Sequence, residues 1–349
     1  MRRIFGLMVI FIATSFAALA QTLAPVSDLS LSLDHARFRH DDQTGYVEIY
    51  FSFLPCLLTF EFSEGKYRGG IELSTRVVNT ATQAVAAEKH LPLQIAEADT
   101  SAAWYRFPFI TQAGFQLPHG KYQLLVSATD AKAATRKVET KTEFEITAYP
   151  TRASLSDLQL CKKIAASQNR DDFFYKNSLE VVPQPSLLFG VNTSPIIFHY
   201  AELYNLTPGA SYVLQTQFFD GDGKSVAEKS EEKKYAATSA LVVGNKMVTA
   251  LPTGKYLLRC TLSDTNRAEL SRSEKVFFIL NPHIKAKPVD ASGMLTKELE
   301  GLNLKQVDDE FQTAKYLASP EEIKIYSQLS ALEGKREFMV KFWQQVEPG

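Results

Sequence analysis

Leu117-Pro118-His119-Gly120-Lys121-Tyr122-Gln123-Leu124 recurs as Leu251-Pro252-Thr253-Gly254-Lys255-Tyr256-Leu257-Leu258. The register holds without a gap to Asp130 against Asp264, and on to Phe144 and Ile146 against Phe278 and Leu280. Upstream, Tyr46-x-Glu48-Ile49-Tyr50 matches Tyr200-x-Glu202-Leu203-Tyr204 in the same order at a different offset, as a change of loop length between strands produces. In each copy Pro-x-Gly supplies a fixed φ and a permissive residue for a turn, after which Tyr, Leu and each second residue point inward. Such a strand is a core staple. A ligand loop at His119 or Thr253 is the lesser reading, because turn residues between strands are mostly structural.

Working outward from the repeat, short alternating runs separated by turn residues mark antiparallel sandwiches. Examples are Tyr46 to Phe51, Ile71 to Val77, Trp104 to Ile110 and Tyr122 to Ala128. The 23 Phe and 14 Tyr against 5 Met also favour sheet. Tyr149-Pro150-Thr151-Arg152 interrupts the pattern. The fold expected is mostly β: two tandem antiparallel β-sandwich domains of immunoglobulin-like type, over 21–149 and 150–281, followed by a short α-helical segment. Residues 282–318 read as a linker with a helical start, extended at Ile284-Lys285-Ala286-Lys287-Pro288-Val289. Residues 319–349 read as a helical pair: Ser319 is an N-cap with Pro320 and Glu322 after it, and Ile323, Tyr326 and Leu329 share a face. The second helix runs from about Leu332 to Val346, with Phe338, Phe342 and Val346 in a stripe and Trp343 beside it. That stripe packs within the protein by default and docks onto a partner helix in the alternative reading.

The N-terminus reads as an export signal over 1–20. Arg2 and Arg3 precede an apolar run from Ile4 to Ala17, and Ala18-Leu19-Ala20 is a small-x-small site that places cleavage between Ala20 and Gln21. The run is shorter than the roughly 20 residues a membrane-spanning helix needs, so no transmembrane anchor is expected after cleavage. Location in the periplasm, on the outer cell surface or outside the cell follows. A formal net charge of −1 gives no electrostatic case for nucleic acid; a protein or cell-envelope partner is the expectation. Cys56, Cys161 and Cys260 allow at most one bridge, with Cys161 and Cys260 the better pair, but free buried thiols are favoured. Cys260 falls in the inward slot of Tyr256, Leu258, Cys260, Leu262.

Catalytic signatures do not stand out: the sequence holds no G-x-S-x-G elbow, no phosphate-cradling glycine loop and no H-E-x-x-H, and no cofactor is implied. Asp220-Gly221-Asp222-Gly223-Lys224 starts like a calcium loop, yet Lys224 stands where an oxygen ligand belongs; a hairpin turn explains it better. His35, His40, Asp41 and Asp42 match no zinc spacing and read as a solvated loop. The run Glu228-Lys229-Ser230-Glu231-Glu232-Lys233-Lys234 mixes both signs and reads as a solvated hairpin or strand end. Glu48 and Glu202, at repeat-equivalent positions, are not expected to face each other. Each reads as lying between tyrosines on the polar side of a strand, so Tyr46, Glu48 and Tyr50, with Tyr200, Glu202 and Tyr204, form the candidate surface for a sugar or peptide.

Ser319-Pro320-Glu321-Glu322-Ile323, Leu332 to Phe338 and Lys341-Phe342-Trp343 make the chain resemble the exported GWxTD-domain proteins of Bacteroidota and related bacteria. The Pro-x-Gly-Lys-Tyr turns, Tyr200 to Tyr204 and Val181-Val182-Pro183-Gln184-Pro185 extend the resemblance over nearly the whole mature chain. It implies β-rich domains followed by a helical connector to a further domain, and no established reaction. The Gly-Trp-x-Thr-Asp motif itself does not occur, which suggests either a truncated reading frame or a relative without that domain. Sequence alone therefore favours an exported non-catalytic structural or interaction protein. A carbohydrate- or peptide-binding module comes second, and an exported hydrolase without a recognisable motif last.

Overall fold

The computed structural model describes residues 22–23, 28–100, 103–284 and 299–346. Two antiparallel β-sandwiches are followed by three helices. In the first sandwich, β1 (Ser32–Arg39), β2 (Thr44–Phe53) and β5 (Phe109–Pro118) form one sheet in the order β1-β2-β5. The facing sheet has the order β4-β3-β6-β7, from β3 (Lys66–Asn79), β4 (Val85–Glu97), β6 (Gly120–Asp130) and β7 (Ala133–Ile146). Alternation fills the space between them, with Val47, Ile49 and Phe51 from one sheet meeting Leu73, Val77 and Leu124 from the other.

The second sandwich repeats the plan. One sheet runs β13-β10-β8-β9, from β8 (Gln159–Ala166), β9 (Leu179–Pro183), β10 (Ile196–Tyr204) and β13 (Ala240–Met247). The other runs β12-β11-β14-β15, from β11 (Ser211–Phe219), β12 (Ser225–Lys234), β14 (Gly254–Ser263) and β15 (Glu269–Ile279). Its core joins Ile197, Ala201 and Leu203 to Leu258, Cys260 and Phe277.

The repeat holds at atomic detail. Tyr122 and Tyr256 each donate their hydroxyl to the carbonyl four residues back, of Pro118 and Pro252, at 2.9 Å. The ring of Tyr122 stacks on Phe144 and that of Tyr256 on Phe277, at 5.7 and 5.6 Å. The gapless match of Phe144 to Phe278 is corrected here: Tyr122 pairs across the ladder with Phe144, Tyr256 with Phe277, so the chain from the tyrosine to its partner is one residue shorter in the second copy, which lacks the wide irregularity that follows Ala133 in the first. Phe278 consequently takes the outward slot that Glu145 holds in the first copy.

A second correction concerns Trp104 to Ile110. Ala103–Tyr105 is a turn of 3-10 helix and the strand begins at Phe109, because Trp104 and Tyr105 lie edge-on to Phe60 at 5.7 and 5.9 Å and plug one end of the core. Asp220 to Lys224 is a hairpin turn: Asp220 Oδ1 accepts from the amides of Asp222 and Lys224, and Gly223 adopts φ 75°. The charged run from Glu228 lies on β12, an edge strand.

The C-terminal helices are α1 (Leu304–Ala314), α2 (Pro320–Gln328) and α3 (Leu332–Val346). Asn303 with Gln306, and Ser319 with Glu322, form reciprocal capping boxes. Val307, Phe311, Tyr326, Met339, Phe342 and Trp343 bury a small core of their own, seated on Phe278. Of the apolar face expected on α2 only Tyr326 is buried; Ile323 is exposed and Leu329 caps the helix. The linker expected over Ile284 to Val289 lies, past Ile284, outside the described residues, as do Ala20 and Gln21. Among the described residues no helix is long and apolar enough to cross a membrane.

Candidate functional site

On β2 the odd residues Val47, Ile49 and Phe51 point into the first core, which turns Tyr46, Glu48 and Tyr50 outward. On β10 Ile197, Ala201 and Leu203 point inward, which turns Tyr200, Glu202 and Tyr204 outward. The expected open surface is corrected at this point, because the two outward faces are packed against each other. Tyr50 and Tyr200 are fully buried and Tyr204 is 5% exposed. Ala36, Phe38 and Tyr50 of the first sandwich and Cys161, Val181 and Tyr200 of the second form one apolar cluster. Phe38 meets Tyr200 edge to face at 6.1 Å. Tyr46 lies across Gly114, where a side chain would collide with its ring.

The two carboxylates converge on one short segment between β8 and β9. Lys176 donates to Glu48 at 2.9 Å and sits 3.3 Å over the Phe38 ring and 4.7 Å over that of Tyr200. Next to it, Asn177 donates to the Tyr200 hydroxyl at 2.6 Å and to Glu202 at 3.2 Å. The tyrosines complete the set: Tyr50 donates to Glu48 at 2.7 Å, and Tyr200 and Tyr204 each donate to Glu202 at 2.6 Å. Burial, followed by the adjacent glutamate, pushes all three phenols above their ordinary pKa, so they stay protonated and act as donors.

A charged rim closes the seam. The Arg37 guanidinium grips Asp157 through Nε at 2.6 Å and Nη2 at 2.8 Å, which holds that carboxyl below its usual pKa despite burial. Lys275 bonds Asp34 and the His35 carbonyl. His35 lies on β1, paired with Ile49 in the ladder, and not in a solvated loop. Burial and then the Lys275 charge push its pKa down to about 4. His40 and Asp41 do lie in a turn, where Asp41 accepts from the amides of Gln43 and Thr44. Sequence reasoning missed Asp34, Arg37, Asp157, Lys176, Asn177 and Lys275; isolated polar and charged residues on strands and turns carry no signal of their partners.

The proposed helix-docking face is also spent within the chain. Phe342 and Trp343 are buried, Trp343 stacks on Phe278 at 5.7 Å, and Phe338 and Val346 pack around them half-buried. Cys161 lies in the seam and Cys260 in the second core, both as free thiols.

One arrangement looks catalytic on distance alone. On the outer face of the first sandwich, beside a shallow groove of about 910 Å³, Ser74 Oγ lies 3.0 Å from His90 Nδ1, and His90 Nε2 lies 2.9 Å from Glu72. Ser74 stands in mid-strand, where β3 is paired on both sides, so the neighbouring amides are held in the ladder and cannot cradle an oxyanion. Arg76 and Glu88 in the same groove pair at 3.6 Å. These groups satisfy one another on a solvated sheet face. Among the described residues no group of three or more His, Cys, Asp or Glu is placed to hold a metal.

Fold and seam define a tandem immunoglobulin-like β-sandwich protein with a docked helical segment. No family model and no curated protein matches the chain. Among solved structures it is similar to red sea bream transglutaminase, at 9% identity and TM-score 0.20, over 73% of this chain and 31% of that one. It is also similar to a putative ApaA protein from Bordetella pertussis, at 12% identity and TM-score 0.23, over 36% and 98%. A third is the β-glucuronidase of Bifidobacterium dentium, at 11% identity and TM-score 0.24, over 73% and 49%. At such TM-scores these likenesses carry no argument about function.

Proposed function

We propose that this chain is an exported, non-catalytic structural or interaction protein of the periplasm or cell surface, in which the two sandwiches and the helices act as one body. The observation that carries the reading is the seam. The repeated Tyr-x-Glu-x-Tyr faces, the most chemically distinctive surfaces in the sequence, are consumed in holding the sandwiches together. The helices add a third tie: Glu310 pairs with Lys255 of the second sandwich at 3.2 Å, and Tyr316 accepts from Ser32 of the first at 3.1 Å. The basic, apolar and small-x-small order of residues 1–20 supports export, and the resemblance to GWxTD-domain proteins supports a connector role for the helices.

The test is fractionation of cells expressing the full chain, with N-terminal identification of the recovered protein and assay of it against a panel of hydrolase substrates. Recovery outside the cytoplasm with Gln21 first, and no saturable turnover, is expected. A chain that keeps Met1 in the cytoplasm, or one that turns over a substrate with saturation, overturns the proposal.

A further inference from the structure

An edge strand offers a row of free amides and carbonyls to any passing chain, and folded proteins blunt such edges with charge, proline or a covering side chain. This molecule does so at three long edges. On β12 Glu228, Lys229, Glu231 and Lys233 line the strand; on β4 Glu88, Lys89 and His90 precede Pro92. The edge of β5 is covered by Lys89, which donates across it to the Gly114 carbonyl at 2.7 Å.

The counterpart of β5 in the second copy is β13, and it is bare. Lys89 lies opposite Thr75 in the ladder and Lys229 lies opposite the equivalent Thr216. Lys229, however, bonds Glu231 at 2.5 Å. Leu241, Val243 and Met247 project from one face of β13, at 40%, 47% and 62% exposure. The strand's one charge, Lys246, is on the other face. The apolar strip continues inward, since Met247 pairs with Ile196 and Val243 with the seam residue Tyr200. It is thus the uncovered margin of an interface already built.

We infer that β13 pairs antiparallel with β13 of a second copy of this chain, joining the two sheets across a two-fold axis. The strand is complementary to itself. Pairing centred on Gly244 sets Leu241 beside Met247 of the other copy and Val243 beside Asn245. No side chain stands at the axis, and each Lys246 faces Val242 and not its like. This self-pairing does not depend on export.

The test is sedimentation equilibrium of the purified protein from about 1 to 100 μM, the span in which interfaces of modest area assemble. Twice the chain mass at the upper end is expected. Val243→Lys and Leu241→Lys, each at an exposed position and each checked for an unchanged melting temperature, should weaken the dimer at least tenfold. The Leu241→Cys/Met247→Cys double variant should form disulfide-linked dimers on oxidation. A wild-type monomer throughout that range overturns the inference and leaves the strand to a different protein; a dimer indifferent to both lysines overturns it equally.

Discussion

Tyr122 and Tyr256 do the same job in two places, which makes them a matched pair for measurement. Tyr122→Phe and Tyr256→Phe each delete one hydroxyl bond to a proline carbonyl, and each is expected to cost about 1 kcal/mol in urea unfolding. A much larger loss at one site would mean the two turns are not equivalent. His199 supplies a pH dependence. It is 4% exposed, lies over Gly244 and is edge-on to Phe218. Burial, with Lys229 adding to it, lowers its pKa from 6.5 to about 4. The unfolded chain therefore takes up this proton first as pH falls. Stability is unaffected by His199 above the unfolded value and is lost from there down to about pH 4, by roughly 3 kcal/mol in all. His199→Leu should reduce the slope of melting temperature against pH over that window, with His35, also depressed to about 4, supplying the rest; an unchanged slope would remove His199 as a source. Cys260 was legible as an inward residue because the alternation around it is unbroken. His199 was not, since a histidine on a strand reads as polar until the glycine opposite it is known.

The helices show what local chemistry reveals and where it stops. The Ser319 to Glu322 box and the spacing of α3 can be read directly. α1 carries the same kind of box at Asn303 and Gln306, with Val307, Phe311 and Ala314 on its buried side, inside the stretch 282–318 that reads only as a linker with a helical start. What no local pattern supplies is the seat. Phe278 faces outward toward Trp343 because the ladder register of β15 on β14 differs by one residue from that of β7 on β6, a shift that the gapless repeat conceals. Trp343→Ala should cost about 3–5 kcal/mol of docking. Limited proteolysis reads this as helices cut well before the sandwiches; simultaneous loss of both would show that the helices and sandwiches are not separable units. Ser319→Ala removes one cap and is expected to cost about 1 kcal/mol, seen as a smaller step in the same proteolysis series.

At the scale of the molecule, the fold class was legible and the arrangement of its halves was not. Alternation places Glu48 and Glu202 on outward faces, where a carboxylate between tyrosines suggests solvent or a ligand. The alternative, two such faces closing on each other, needs Lys176 and Asn177 to arrive from a segment between β8 and β9 that lies far in sequence from Glu48. The seam is held by charge-assisted bonds as well as by apolar contact. Arg37→Ala, which strips Asp157 of its partner, is expected to lower stability by about 1–3 kcal/mol in equilibrium unfolding. The most direct test of the seam is a pulsed dipolar distance between spin labels at Lys141→Cys and Glu232→Cys, exposed residues on different sandwiches, with Cys56→Ser to remove the partly accessible native thiol. With the labelled chain diluted in an excess of unlabelled chain, so that no pair of copies carries more than one labelled member, a single narrow distance distribution that broadens on Arg37→Ala is expected. A broad distribution in the labelled parent protein would mean that the sandwiches move independently and that the Tyr-x-Glu-x-Tyr faces are not spent on each other.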